Sequence, residues 1–176
     1  MITQLQTKRL HVRRMNESDS YSLFNIWSDP DVTKFMNVDC FTDEHQAKEM
    51  ITFLNELAKE NKAYRFVIVE AESNEIIGSC GYNFLDFEHA KTEIGCDIAK
   101  AHWGKGYAPE IMDALLEYAF KQLNIHRIEA KVDPKNIKSI KLLQKLNFTF
   151  EGTLRDYEKL KGQFMNLHMY SKLATD

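Results

Sequence analysis

Residues Thr92–Leu123 read TEIGCDIAKAHWGKGYAPEIMDALLEYAFKQL, and the spacing of the apolar residues changes partway along them. From Thr92 to Ile98, Ile94, Cys96 and Ile98 alternate with Glu93, Gly95 and Asp97, the two-residue period of a strand with one apolar face. Further on, Ile111, Leu115, Ala119 and Leu123, with Met112, Leu116 and Phe120 beside them, form a helix stripe. Between strand and helix lies Trp103-Gly104-Lys105-Gly106-Tyr107-Ala108. Glycines spaced this way let the backbone turn tightly and approach a ligand without a Cβ in the way, while the first amides of the next helix lack partners within it. Pro109 suits the first helical turn, and Glu110 suits the positive end of the helix dipole. The segment is either a phosphate cradle or a tight turn between two core elements. It lacks the G-x-x-x-x-G-K-S/T string of a nucleotide-triphosphate loop and the third glycine of a dinucleotide fingerprint.

Upstream, Arg9–Arg14 alternates Leu10 and Val12 with polar residues as a first strand. Asn16 is placed to cap a helix containing Tyr21, Phe24 and Trp27, which Ser28-Asp29-Pro30 ends. Thr42 is a second candidate cap, for a longer helix with Ala47, Met50, Ile51, Leu54 and Leu57 as its buried face. The connection Asp31–Phe41 carries Phe35, Met36 and Phe41, which serve either as packing or as one wall of an acceptor pocket. The apolar run Phe66-Val67-Ile68-Val69 predicts a central strand buried on both faces. After a turn at Asn74, Glu75–Asn83 reads as its antiparallel partner, with Gly78 and Gly81 weakening it or permitting close backbone approach. With Thr92–Ile98 these strands make a meander. After the loop helix, His126–Val132 is a strand parallel to the one before. Asn136–Asn147 is a helix with Ile140, Leu143 and Leu146 inward and Lys135, Lys138, Lys141 and Lys145 on its rim. Phe148–Thr153 and Asn166–Lys172 form a closing antiparallel pair joined through an irregular segment with Gly162.

The chain has 176 residues, enough for one domain with a substantial core, so residues 1–176 are read as a single domain. Its 44% hydrophobic and 28% charged residues, with no long apolar run or signal-like segment, predict a cytoplasmic protein that does not enter a membrane. Cys40, Cys80 and Cys96 are unclustered and odd in number, which points to neither a disulfide framework nor a metal site. A net charge of −3, without interleaved aromatics on the lysine-rich helix, argues against direct nucleic-acid binding.

The string Ala101-His102-Trp103-Gly104-Lys105-Gly106 resembles the pyrophosphate loop of the GNAT acyltransferases, usually Gln/Arg-x-x-Gly-x-Gly/Ala, with the leading polar residue missing. Asn136-Ile137-Lys138-Ser139, followed by Leu142-Leu143-Gln144-Lys145-Leu146-Asn147-Phe148, resembles that family's Asn-x-x-Ser…Leu-x-x-x-Gly-Phe string. Asn147 replaces the glycine there, and Asn is the residue that best tolerates a left-handed helix end after glycine. The opening Thr7-Lys8-Arg9-Leu10, the string Ser28-Asp29-Pro30-Asp31-Val32, and the ending from Phe150-Glu151-Gly152-Thr153-Leu154-Arg155-Asp156 to Met169-Tyr170-Ser171 resemble the RimJ/RimL-type branch, the ribosomal-protein N-terminal acetyltransferases. The resemblance covers nearly the whole chain. It implies an α/β fold (α+β in stricter usage): a mixed, mostly antiparallel twisted sheet of about six to seven strands with helices on both faces. It also implies acetyl-CoA as cofactor, an amine acceptor, and a monomer or homodimer.

Acyl transfer from a thioester to an amine needs a cofactor site, a base, an oxyanion donor and an acid for the leaving thiolate. For the cofactor, the resemblance implies Trp103 and the amides of Gly104, Lys105, Gly106, Tyr107 and Ala108 at the pyrophosphate. Lys105 and the lysines of the Asn136 helix would add charge there, or simply form a solvated face. Asn136 would hold the pantetheine arm, cap its helix, or both. For the base, Glu93 precedes the point where the family splays its sheet, and is otherwise a solvent-facing strand carboxylate. Glu158 aligns with the carboxylate the RimJ/RimL branch is thought to use. The amide of Ile98, at a strand bulge, is the implied oxyanion donor. Many relatives place a tyrosine about seven residues after the Asn, where this chain has Leu143, which cannot donate. Ser139, one turn earlier on the same helix face, is assigned that task, the alternative being a bond from its hydroxyl back to the Lys135 carbonyl. His102, His126 and His168 are read as surface or packing residues.

The expected reaction is direct attack of an amine on the thioester, with a protein N-terminal α-amine as acceptor. The rivals are a polyamine or antibiotic acetyltransferase and a non-catalytic acyl-CoA-binding module, which would need neither Ser139 nor a base.

Overall fold

The structure, a computed structural model, describes residues 4–176. Eight strands form one sheet in the order β1-β2-β3-β4-β5-β6-β8-β7. They are β1 (Gln4–Gln6), β2 (Leu10–Arg14), β3 (Tyr64–Glu70), β4 (Ile76–Asp86), β5 (Lys91–Ile98), β6 (Arg127–Val132), β7 (Thr149–Leu160) and β8 (Gln163–Leu173). Neighbours pair antiparallel except β5 and β6, which are parallel as the intervening helix requires. The helices are α1 (Ser20–Trp27), α2 (Pro30–Thr33), α3 (Glu44–Lys59), α4 (Tyr107–Lys121) and α5 (Ile137–Lys145).

The sheet separates two apolar clusters. In β3, Phe66 and Ile68 join Leu10, Val12 and the α4 residues Ile111 and Leu115 on one face, while Val67 and Val69 join Leu23, Trp27, Ala47 and Ile51 of α1 and α3 on the other. The unbroken apolar run in β3 thus reflects burial on both faces. Close approach explains a glycine in β4: a Cβ on Gly81 would meet the Tyr64 carbonyl oxygen at 2.0 Å. The α5 end behaves as its sequence predicts. Asn147 is left-handed (φ 59°), and the Phe148 and Asn147 amides donate to the Leu143 and Gln144 carbonyls at 2.9 and 3.0 Å.

Several expectations need correction. Asp43, not Thr42, caps α3: its carboxylate accepts from the His45 amide at 2.7 Å, while the Thr42 amide donates to the Gln46 side chain. Asn16 opens a short 3-10 turn, Glu17–Asp19, ahead of α1, and Tyr21 is 64% exposed, so Leu23, Ile26 and Trp27 carry the buried face. The segment expected to be irregular before Gly162 is strand. β7 runs to Leu160 and turns into β8 through Lys161 and Gly162, both at positive φ. β1, at the sheet edge, brings the count to eight.

The feature that positions the site is the brevity of the β5–β6 pairing. Lys91, Thr92 and Glu93 pair with Arg127, Ile128 and Glu129, and there the ladder stops, although β5 continues to Ile98 and β6 to Val132. The two strands part after Glu93 and leave a wedge-shaped gap.

Candidate active site

On the α4 side, the glycine loop opens the helix as predicted. Gly104 and Gly106 have φ of 75° and 80°, a conformation costly for other residues, and Gly106 is the residue before the first turn of α4. A Cβ on Gly104 would meet nothing within 4 Å, so the loop backbone faces open space with the first amides of a fifteen-residue helix behind it. These are the donors a pyrophosphate needs. The loop is braced from below by a contact that local reading missed. Glu110 Oε1 accepts from the Thr7 hydroxyl at 2.6 Å and the Arg9 amide at 2.8 Å, and Oε2 accepts from Arg9 Nε at 2.7 Å. Burial works against the Glu110 carboxylate, but these donors hold it below the usual glutamate range. Arg9 Nη1 also donates to the Lys105 carbonyl at 2.8 Å, and the guanidinium lies 4.5 Å over the Tyr107 ring. The Tyr107 side chain is buried with its hydroxyl on Glu70, so only its backbone remains for a ligand.

Trp103 links the loop to the gap: its indole N–H donates to the Ile98 carbonyl at 2.7 Å, and Lys138 Nζ lies 4.2 Å over its ring. The lysine-rich α5 therefore meets the loop through Lys138. The Asn136 side chain accepts from the Ser139 amide at 3.2 Å, capping α5 and leaving its NH2 to donate elsewhere. The bulge expected at Ile98 lies instead in β4, where the register slips between Tyr82 and Phe84. The Ile98 amide is nevertheless well directed. Ala99 N–H bonds the Ile77 carbonyl at 2.7 Å, so by the alternation of an antiparallel ladder the amides of Ile98, Cys96 and Ile94 turn away from β4, toward the gap.

At the vertex, Glu93 is half-buried, with Lys131 Nζ 2.5 Å from Oε2 and Asn83 Nδ2 donating to Oε1 at 3.2 Å. Burial works against the Lys131 ammonium, but the hydrogen bond and charge of Glu93 outweigh it and raise its pKa. Asn83 is the bulged residue of β4 and also lines a cleft of about 260 Å³ on the α1/α3 face. Met36, Val38 and Phe41 of the linker form one wall of this cleft, and Met36 and Phe41 also pack against the α1/α3 cluster, Phe41 edge-on against Trp27. Met50, Leu54 and Leu57, expected as part of the buried face of α3, form the opposite wall with Phe53. The floor holds Arg65, Ser79 and Asp97, none of which sequence reasoning had selected. Asp97 accepts from Arg65 Nη2 and the Trp27 indole, each at 3.2 Å, and from the Ser79 hydroxyl. Burial pushes its carboxyl upward against those partners.

Glu158 reaches the cleft rim from the far side. Asn37, between the lining residues Met36 and Val38, donates to it at 3.2 Å. Glu93 and Glu158 are thus each one asparagine from the cleft. Ser139 is half-buried, one turn from Leu143, which is in the core. Among the described residues its hydroxyl makes no hydrogen bond, so the back-bond to Lys135 is not formed. Burial pushes the Cys96 thiol up to about 12 and Cys80 further, which argues against a thiolate nucleophile in this sheet. His102 is mostly buried beside Glu75, and His168 contacts Thr153 and Phe150. No helix among the described residues is long and apolar enough to cross a membrane.

The profile described as "Acetyltransferase (GNAT) domain" matches residues 9–149. The uncharacterized N-acetyltransferase p20 of Bacillus licheniformis is 50% identical over 172 residues, 98% of this chain and 97% of that protein. The [ribosomal protein uS5]-alanine N-acetyltransferase of Escherichia coli K12 is 28% identical over 98% of this chain and 91% of its own length. The spermidine N(1)-acetyltransferase of Vibrio cholerae is 24% identical over 90% of each. The structure of the ribosomal-protein-S5-alanine acetyltransferase from Vibrio fischeri matches with TM-score 0.85 at 27% identity, over 99% of this chain and 98% of the other. RimL in complex with coenzyme A shares the fold, with TM-score 0.88 at 19% identity over 97% of each chain. Sequence and fold agree along essentially the whole length, and the chain belongs to the GNAT acetyltransferases, in their RimJ/RimL-like branch, as an enzyme that uses acetyl-CoA.

Proposed function

We propose that this acetyltransferase modifies the N-terminal α-amine of a protein in the cytoplasm. The observation that carries the reading is that one gap adjoins two surfaces: the glycine loop follows β5 at the open end of the β5–β6 gap, and Glu93 at its closed end is bonded by Asn83, which lines the cleft on the opposite sheet face. The acetyl thioester supplies the electrophile. Loop amides from Gly104 to Ala108 hold the phosphates, with Lys105 and Lys138 adding charge and Trp103 walling the loop. The Asn136 NH2, not used in capping α5, donates to a carbonyl of the pantetheine arm.

An incoming amine loses its proton to Glu93 or Glu158, directly or through one water. The Ile98 amide donates to the carbonyl oxygen as negative charge gathers there, and the Ser139 hydroxyl donates to the departing sulfur. A peptide acceptor is supported by likeness to the uS5-alanine N-acetyltransferase over almost the full chain. It is also supported by the state of Asp97. That carboxylate is the acid in the cleft lining and is occupied by Arg65, Ser79 and Trp27, so it is not free to pair with the further cations of a polyamine.

A small-molecule amine is the second reading, favoured by the similarity to the spermidine enzyme. Thiol release from acetyl-CoA, measured across N-terminal peptides, spermidine and aminoglycosides, tests the two. Turnover of peptides alone supports the first; turnover of spermidine or aminoglycosides without peptides overturns it.

A further inference from the structure

We propose that the acceptor's first residue carries a large apolar side chain and that the cleft between α3, the 34–43 linker and the sheet receives it. This rests on the N-terminal α-amine reading. The walls are hydrocarbon and aromatic: Met36 and Phe41 from the linker, Met50, Phe53, Leu54 and Leu57 from α3. Phe53 is 57% exposed at the mouth, and Met50, Leu54 and Leu57 behind it on α3 are half-buried, so this apolar face stays partly open to solvent. A protein retains such an exposed face at a site when something apolar covers it there.

The floor is polar but already satisfied within itself. Arg65 donates to Asn83 Oδ1 and the Gly95 carbonyl, each at 3.0 Å, and to Ser79 at 2.7 Å, besides Asp97. Asp97 takes Ser79 and Trp27 in addition. A charged or amide side chain entering the cleft would leave water and find its partners taken, a desolvation cost without return. A leucine, methionine or phenylalanine side chain would leave water and gain contact on two walls. Alanine would leave most of the roughly 260 Å³ unfilled.

Position ties this pocket to the acceptor. Asn83 lines it and bonds Glu93 at the vertex, so an α-amine directed at the gap places its own side chain, one bond from the same Cα, beside Asn83 and into the cleft. The cleft therefore reads the residue that carries the reacting amine.

The test uses the full chain with acetyl-CoA and peptides identical except for a first residue of Ala, Ser, Lys, Leu, Met or Phe, together with leucinamide and spermidine. kcat/KM for the Leu, Met and Phe peptides should exceed that for Ala by roughly 10-fold or more, and Lys should fall below Ala. Phe53→Ser, at an exposed position, should shrink the Leu-to-Ala ratio severalfold. Peptide turnover with Ala, Ser or Lys preferred, or an unchanged ratio in Phe53→Ser, overturns the inference and leaves the N-terminal reading standing. Turnover of leucinamide with no peptide turned over supports the apolar cleft and overturns the protein acceptor. Turnover of spermidine alone overturns both.

Discussion

Lys131 reaches back across the vertex of the parted strands to Glu93, Nζ to Oε2 2.5 Å, so the last paired residue of β5 is held by a side chain from the diverging half of β6. The pair fixes the Glu93 carboxylate at the closed end of the gap and keeps its other oxygen on Asn83.

Glu93→Gln and Glu158→Gln separate the two candidate bases. Gln keeps the size and removes the basicity, so the variant of the true base should lose roughly 10²–10⁴ in turnover while the other changes little. The measurement is single-turnover acetylation at a pH below the amine's pKa. Near-normal rates in both variants and in the double variant would remove carboxylate catalysis from this site.

Gly106→Asp should abolish acetyl-CoA binding in a folded protein. It places a Cβ where φ is 80° and adds a negative charge beside the phosphates, with Arg9 Nη2 only 3.4 Å from the new Cβ. Calorimetry is the check. Unchanged affinity would move the cofactor site elsewhere.

Ser139→Ala should lower turnover by roughly 10²-fold with cofactor affinity nearly constant, because the hydroxyl is unbonded and Leu143 cannot take its place. Wild-type turnover where chemistry limits the rate would leave water as the proton source for the sulfur.

What the sequence disclosed was whatever neighbouring residues decide. The period change around Gly104 and Gly106, the run Phe66–Val69 and the helix end at Asn147 are local, and each stands where it was read. The Thr7–Glu110 contact joins residues 103 positions apart, and no pattern near either one announces it. The cleft was illegible for the same reason, since its lining comes from α1, the linker, α3 and three strands. β7 was cut short because positive φ at Asp156 and a register slip between Leu154 and Glu158 break the alternation that marks a strand. Asp97 was visible only as the polar member of an alternating pair, and its burial depends on Trp27, seventy positions away.

Acid should reveal the tie between β6 and β7. Arg127 spans β8 to Glu151, with Nη2 to Oε2 2.6 Å, and with the Ser171 hydroxyl it lowers the Glu151 pKa from 4.5 to about 2. A depressed carboxylate contributes stability that is fully present above its unfolded pKa and is lost as pH falls through the folded one. Glu151→Gln should therefore melt below the parent protein near neutrality, with the difference closing between about 4.5 and about 2. Thermal melts across that range check it, and a gap that widens in acid would contradict it.

The three-residue β5–β6 ladder also bears on how the chain assembles. β1 to β5 pair antiparallel in chain order, with α1 to α3 inserted between β2 and β3, and β7 and β8 form a hairpin. The two blocks meet through one short parallel seam, whose closure must wait for the α4 crossover. Native-state hydrogen exchange should resolve two cooperative units divided at Glu93, with the amides of β6 and β8 opening at lower free energy than those of β3 and β4. Uniform exchange across the sheet would show instead that the seam forms as early as the strands it joins.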